Sequence, residues 1–496
     1  MKDKKNFLEK KINKGIELFK KKKFLDAIEI FNYLKKQKET NIIGLLFLGI
    51  IQIQKKDYSF AQKFFFEILD INPNHEDANL NLALTYFNTK EYDKSLLYLD
   101  KVIEINRDNI KSIYHKGLIY FFKKEFNKAI QFFEICININ KNFFYSYLNL
   151  GHIYLRIKMF DKAIDNYKKV IEIDPNNNTS KFNLAWCHFA KLDFENAFEY
   201  YEFRKEKTLP GERVKEVINN YDCNEWNGEN LDNKTLLILS EQGIGDNIQF
   251  FRYLFWIKEK FNVKIFFYAD ERILNLFEDT PFEIISNLDC IKEIDFYQCL
   301  LSLPKIFYNE KKKFQYPIPY IKIDNKNYLQ WKNKFKNFNK PIIGINWQGD
   351  KNFKFDDTRS ISLSCFDSIL KIKKYHFISL QKGYGSEQIV TNNYSSYLTD
   401  LSNDIDNGKK AFEDTISILK NIDLLITSDT AIAHLAGTLN VNTYLLLSYN
   451  PDWRWFIENK LKCFYPNMII LQQKNPEDWD SVFKKLQNLI KKRLTA

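Results

Sequence analysis

The feature that most constrains this chain is an unbroken spacing of 34 residues. Small residues recur at it six times: Gly15, Gly49, Ala83, Gly117, Gly151 and Ala185. A second small column follows twelve residues behind each, at Ala27, Ala61, Ser95, Ala129, Ala163 and Ala197. A third holds large rings or Leu, at Phe31, Phe65, Leu99, Phe133, Tyr167 and Tyr201, and Pro73 and Pro175 fall between repeats. Two helices approach closely only where side chains are small, and a bulky neighbour fills the hole beside them. Each pair leaves an apolar face that only the next pair can bury, so the units must stack into an α-solenoid.

These columns resemble the tetratricopeptide repeat over residues 8–204, which implies six helix pairs around a concave groove. A fourth column stands two residues before each small one: Asn13, Phe47, Asn81, His115, Asn149 and Asn183. The resemblance places it on the first helix of each pair, facing the groove. There it looks like the asparagine ladder of O-linked N-acetylglucosamine transferase, whose carboxamides hold the backbone of an acceptor peptide. A carboxamide both donates and accepts, so it can pair with any peptide unit. Asn81, Asn149 and Asn183 are therefore the candidate groove residues for an acceptor. The plainer reading is that Asn is abundant in this chain, and Phe47 and His115 interrupt the column. Tyr114, Phe121, Tyr145, Phe182, Trp186 and Phe189 either line the same groove or pack in the core.

After Arg204 the period stops. Residues 205–233 are polar and turn-rich, with Pro210-Gly211 and Asn227-Gly228, and read as a connector. Short β-rich runs then alternate with helical stretches, the pattern of a doubly wound α/β fold. The expected strands are Thr235–Leu239, Val263–Tyr268, Ile342–Asn346, His376–Leu380, Leu424–Thr427 and Thr443–Leu447. A proline-marked break from Pro304 to Pro341 separates two groups, which predicts two Rossmann-like lobes over residues 234–335 and 340–475. Residues 476–496 read as an amphipathic helix, and 496 residues are in any case too many for one core.

The net charge of +11 comes from Lys spread along the whole chain, with no basic stripe, so a nucleic-acid partner is not expected. The seven cysteines are scattered without a CxxC, which argues against a zinc site or a disulfide framework. The longest nearly apolar run, Ile42 to Ile53, is too short to span a bilayer, and the start lacks an apolar signal core. A cytoplasmic protein with no transmembrane segment is expected.

Two loops carry the chemistry. Glu241-Gln-Gly-Ile-Gly-Asp246 follows a strand and opens a helix, and Gly243 and Gly245 would let a ligand approach the helix N-terminus. One reading is a dinucleotide fingerprint with Asp270 on a ribose, but Ile248 replaces the third glycine. Another is a structural turn with Asp246 as cap. In the second lobe, Thr427-Ser-Asp-Thr-Ala-Ile-Ala-His-Leu-Ala-Gly437 places Ser428, Asp429 and Thr430 at a helix start. They would cap the helix or hold a pyrophosphate, with His434 one turn on.

These loops occur in order with Leu301-Ser-Leu-Pro304, Gly344-Ile-Asn-Trp-Gln-Gly349, Arg359-Ser-Ile361, Ser379-Leu-Gln381 and Pro451-Asp-Trp-Arg-Trp455. Together they resemble the C-terminal domain of bacterial repeat proteins related to the ADP-heptose:lipopolysaccharide heptosyltransferases, glycosyltransferase family 9, over residues 226–480. The resemblance implies a GT-B fold, an inverting mechanism, a nucleotide-sugar donor in the second lobe, and neither a metal nor another cofactor. It implies Asp246 as base, or as helix cap only, and Arg359 as a holder of the diphosphate. Gly243, Gly245, Trp347, Gln348, Gln381, Ser428, Asp429, Thr430 and His434 would border the nucleotide. Asp452, Trp453 and Arg454 either close the site or pack, the tryptophans near Trp479. In GT-B folds the C-terminal helix returns to brace the first lobe. The heptosyltransferases themselves carry no repeats, so their donor and lipid acceptor do not transfer. The expected partners are a nucleotide-sugar and a protein, peptide or glycan acceptor held in the groove. The rival readings are a non-catalytic scaffold with a degenerate GT-B domain and a nicotinamide-dependent oxidoreductase.

Overall fold

The computed structural model describes residues 2–207, 209–311, 320–352, 356, 359–462 and 464–493. It divides into two compact units, residues 1–180 and 181–496.

The first unit is a stack of helix pairs: Lys2–Lys20 with Phe24–Lys35, Asn41–Gln54 with Tyr58–Ile71, Glu76–Asn88 with Tyr92–Ile105, Ile110–Phe122 with Phe126–Ile139, and Phe144–Arg156 with Phe160–Ile173. The small-residue column faces the ring column sixteen residues on. A Cβ added to Gly49 would lie 2.5 Å from Phe65, one on Gly117 2.7 Å from Phe133, and one on Gly151 2.5 Å from Tyr167. Where Ala83 replaces glycine, its counterpart is the smaller Leu99, and both are fully buried. Phe47 joins this packing, with its ring stacked 4.7 Å from that of Phe31.

A further column at the same spacing has an unusual backbone. Lys22, Lys56, Lys90, Lys124 and Lys158 occupy the turn inside each pair with φ between 58° and 63°, and Leu192 follows at 61°. Glycine or asparagine usually marks this left-handed position, and lysine does not.

The sixth pair, Asn178–Ala190 with Phe194–Tyr201, groups with the second unit from Lys181 onward. The expected single array over residues 8–204 is thus divided between units. The reason is apolar packing: Ala185, Phe189, Phe194, Ala197, Phe198 and Tyr201 share one core with Trp226, Phe250 and Trp453.

The second unit holds two wholly parallel sheets. In the first, β1 (Asn224–Glu225), β2 (Thr235–Leu239), β3 (Lys264–Tyr268), β4 (Glu283–Ile285) and β5 (Phe296–Cys299) lie in the order β1-β5-β2-β3-β4. In the second, β6 (Ile342–Asn346), β7 (His376–Ser379), β8 (Leu398–Asp400), β9 (Leu424–Ser428), β10 (Thr443–Leu447) and β11 (Met468–Gln472) lie in the order β11-β10-β9-β6-β7-β8. The six expected strands are β2, β3, β6, β7, β9 and β10. Of the others, β1, β4 and β8 are short and β5 carries Gln298, whereas β11 is a mostly apolar run of five residues outside the expected set.

Two other expectations need correcting. The connector is structured: Leu209–Asn220 is a helix, β1 joins the first sheet, and Val217 and Trp226 are fully buried. A proline in a first turn starts a helix as readily as it makes a loop. The last helix, Trp479–Arg493, packs on the second lobe and does not return to the first. Val482, Phe483, Leu486 and Ile490 join the core of Ile343, Trp347 and Phe366, with the Phe366 and Phe483 rings 4.7 Å apart. Arg252 of the first lobe reaches the second, donating to the Phe464 carbonyl at 2.9 Å. No helix among the described residues is long and apolar enough to cross a membrane.

Candidate functional site

β2 ends at Leu239, and the chain turns through Gln242, at φ 57°, into the helix Ile244–Phe250. The Gly243 N–H donates to Asp246 Oδ2 at 2.9 Å, and the Asn247 amide bridges back to the carbonyls of Glu241 and Gly243. Gly245 meets protein where a ligand was expected. A Cβ there would lie 2.6 Å from the His434 ring and 3.4 Å from the Ala431 backbone, so glycine lets the two lobes touch.

β9 delivers the second loop. Ser428 is fully buried, and its Oγ has no partner among the described residues. Thr430 begins the helix Ala431–Thr438 and spends its hydroxyl on Asn346 Oδ1 at 3.0 Å. His434 departs from expectation. It is 3% exposed, stacks on Trp455 at 4.9 Å and hydrogen-bonds the Tyr465 hydroxyl at 3.0 Å. Burial pushes its pKa well below the usual imidazole range, and Arg454 and Arg252 push the same way. It is a packed neutral ring in this structure, because its helix face turns toward the rings of Trp455 and Tyr465.

β10 leads to Asp452, which accepts the Arg454 N–H at 3.1 Å and caps the helix Trp453–Leu461. The Arg454 guanidinium pairs with Asp246 and reaches Asp452 at 3.2 Å. Burial pushes the carboxyls of Asp246, Asp429 and Asp452 up, and the Arg454 charge pulls each back. Arg359, after β6, donates from Nε to Asp356 at 2.9 Å, and its charge reaches Asp429 and Asp452. The structure therefore gathers Asp246, Asp429, Asp452, Arg359 and Arg454 where two loops meet beyond the carboxyl ends of parallel strands. Ligands of such sheets bind in that place.

Gln381 and Trp347 stand behind this cluster. Gln381 Oε1 accepts from Asn346 Nδ2 and from the N–H groups of Trp347 and Gln348, and its Nε2 donates to the carbonyls of Gln348 and Tyr384. It is a bracket for the β6 loop, with both ends of its side-chain amide engaged within the protein. Trp347 is fully buried in the second lobe's core, while Gln348 packs against Gly385. The tryptophans after β10 do not meet Trp479. Trp453 stacks on Phe189 at 4.1 Å, and Trp455 covers His434. Among the described residues no cluster of His, Cys, Asp or Glu is suited to a metal ion.

Sequence reasoning missed two ion pairs. The sequence places Arg454 either closing the site or packing, and only the fold brings it 208 positions back to Asp246. Arg204 makes a bidentate pair with Glu241 at 2.9 and 2.7 Å, both side chains being almost fully buried. Glu241 also accepts the Leu301 N–H at 2.7 Å, so it anchors the base of the first loop.

The groove residues fall in different units. Asn81 Nδ2 donates to the Asp77 carbonyl at 2.8 Å, one turn back in its own helix. Asn149 donates to the Tyr145 carbonyl at 2.8 Å and the Tyr114 hydroxyl at 3.0 Å, which occupies both its amide hydrogens. Asn183 lies in the second unit.

Models of the tetratricopeptide repeat match residues 52–116, 110–143 and 144–177. Residues 52–177 are tetratricopeptide repeats. Among solved structures, MamA is 23% identical with a TM-score of 0.31, covering 34% of this chain and 97% of its own. A tetratricopeptide repeat protein from Parabacteroides merdae is 19% identical with a TM-score of 0.34, covering 39% of this chain and 77% of its own. YrrB, described as a repeat protein with an unusual peptide-binding site, is 15% identical with a TM-score of 0.31, covering 38% and 98%. No curated protein matches the chain.

Proposed function

We propose that residues 181–496 form an inverting glycosyltransferase of GT-B type and that the tetratricopeptide repeats supply a protein-binding surface for its acceptor. The observation that carries this reading is the convergence of Asp246, Arg359, Asp429 and Arg454 beyond the carboxyl ends of β2, β6, β9 and β10. Inverting transfer needs a base for the acceptor hydroxyl and positive charge for the departing diphosphate. Asp246 supplies the first and the two guanidinium groups the second. The acceptor oxygen bonds to the anomeric carbon, its proton passes to Asp246, and the bond from that carbon to the diphosphate breaks. Asp429 stands at the mouth of the donor loop, where a carboxylate accepts hydrogen bonds from sugar hydroxyls. The donor is a substrate.

A thermal-shift panel with UDP, GDP, ADP, CMP and TDP and their sugars tests this. One nucleotide should raise the melting temperature, and Asp246→Asn and Arg359→Ala should then abolish transfer. Full turnover by Asp246→Asn would remove the base. A second reading, a scaffold that has lost catalysis, draws on the neutralisation of Asp246 by Arg454 and on the enclosure of His434. It predicts that no nucleotide shifts the melting temperature.

A further inference from the structure

Asp246 has two carboxylate oxygens, and both are engaged. Oδ2 takes the Gly243 N–H, and Oδ1 takes the Arg454 guanidinium. Burial holds the Asp246 carboxyl above its usual range, and these two partners pull it back down, so each lowers its affinity for a proton. Arg454 is shared among more acid than it can neutralise. It touches Asp246 and Asp452, its charge also reaches Asp429, and its Nε is buried with no partner among the described residues. The neighbouring cation, Arg359, is already tied to Asp356.

The backbone around Arg454 is held on both sides while its side chain can choose among partners. Trp453 is clamped between Phe189 at 4.1 Å and Phe250 at 5.9 Å, and Trp455 lies on His434. Phe250 ends the short helix that carries Asp246, so the clamp also fixes the base relative to the cation.

We propose that Arg454 is a charge latch on Asp246, which the diphosphate of a nucleotide-sugar opens by drawing the guanidinium to itself. A diphosphate carries more charge than one carboxylate and offers a guanidinium two oxygens at once. Once the latch opens, Asp246 keeps its place through the Gly243 N–H, loses its counter-charge and stands near Asp429 and Asp452. Its affinity for a proton then rises, which improves it as a base. The proton still comes from the acceptor hydroxyl, and the leaving diphosphate still takes the bonding pair. Binding is therefore ordered: the donor binds first and the acceptor is activated second. Arg454 acts through Asp246 as a positioning residue, besides contacting the diphosphate. The inference rests on the transferase reading, but its test does not require turnover.

The test measures binding of UDP, GDP, ADP and inorganic pyrophosphate to the full chain by calorimetry. Asp246→Asn removes the competitor for Arg454, and the nucleoside diphosphate that binds wild type should bind about tenfold more tightly. Arg454→Gln should bind it at least about tenfold more weakly, and Arg454→Lys should recover part of that loss. Relief of charge repulsion alone would tighten binding equally in an Arg454→Gln background, whereas the latch requires the gain from Asp246→Asn to vanish there. Unchanged or weaker binding by Asp246→Asn, with wild type binding normally, overturns the latch and leaves the transferase reading standing. Binding by neither protein overturns both.

Discussion

Gly49→Ala tests the close approach that builds the repeats. The new Cβ would sit 2.5 Å from Phe65 Cε1 and 2.7 Å from Cζ, against an ordinary contact of 3.4–4 Å. Phe65 is fully buried, so its ring must move by about 1 Å into occupied space. Overpacking of this kind costs about 1–3 kcal/mol. Alanine in place of glycine inside a helix returns about 1 kcal/mol. The net expectation is a loss of about 1 kcal/mol. The chain contains its own control, because Ala83 stands opposite Leu99 in the third repeat. In a Phe65→Leu background the same Gly49→Ala change should therefore stabilise by about 1 kcal/mol, a coupling of about 2 kcal/mol between the two sites. Urea unfolding of the full chain followed by circular dichroism, with hydrogen exchange at the second repeat, reads both backgrounds. Exchange is needed because repeat arrays do not unfold as one unit. Equal stabilisation in both backgrounds would show that the ring does not select the glycine.

Three other outcomes follow. Lys90→Gly should stabilise the first unit by up to about 1 kcal/mol in thermal unfolding, because φ of 63° is strained for lysine and open to glycine; Lys90→Val should do the reverse. Glu241→Ala leaves the buried Arg204 guanidinium without its bidentate partner, and the second unit should lose about 3–5 kcal/mol in denaturant unfolding. Burial holds His115 neutral, its pKa pushed down from 6.5 to about 4, and its Nδ1 has no partner. The folded state therefore binds its proton later than the unfolded chain, and the stability it contributes above pH 6.5 is lost as pH falls toward 4. That loss is worth about 3 kcal/mol, and His115→Phe, which copies Phe47 in the same column, should abolish it. Imidazole titration by NMR together with acid unfolding of both proteins checks this; an unperturbed His115 titration would refute it.

The sequence by itself determined the packing that repeats from one helix pair to the next. A helix pair needs its small residue and its ring at fixed positions, so Gly49 and Phe65 announce the same contact as Gly117 and Phe133. The central strands were legible for a similar reason, since a strand buried on both faces must be a run such as Leu236–Leu239. The turn lysines repeat at the same spacing, but their left-handed backbone was not legible, because lysine does not usually mark a position with φ near 60°. The tertiary structure alone decided which polar groups are free to act. Gln381 and His434 stand in motifs that suggested a nucleotide, yet one spends its amide on the β6 loop and the other lies beneath Trp455. The pairing of Asp246 with Arg454, and that of Arg204 with Glu241, joins elements far apart in the chain. Charge attraction acts through space and carries no period, so only the fold could bring those partners together.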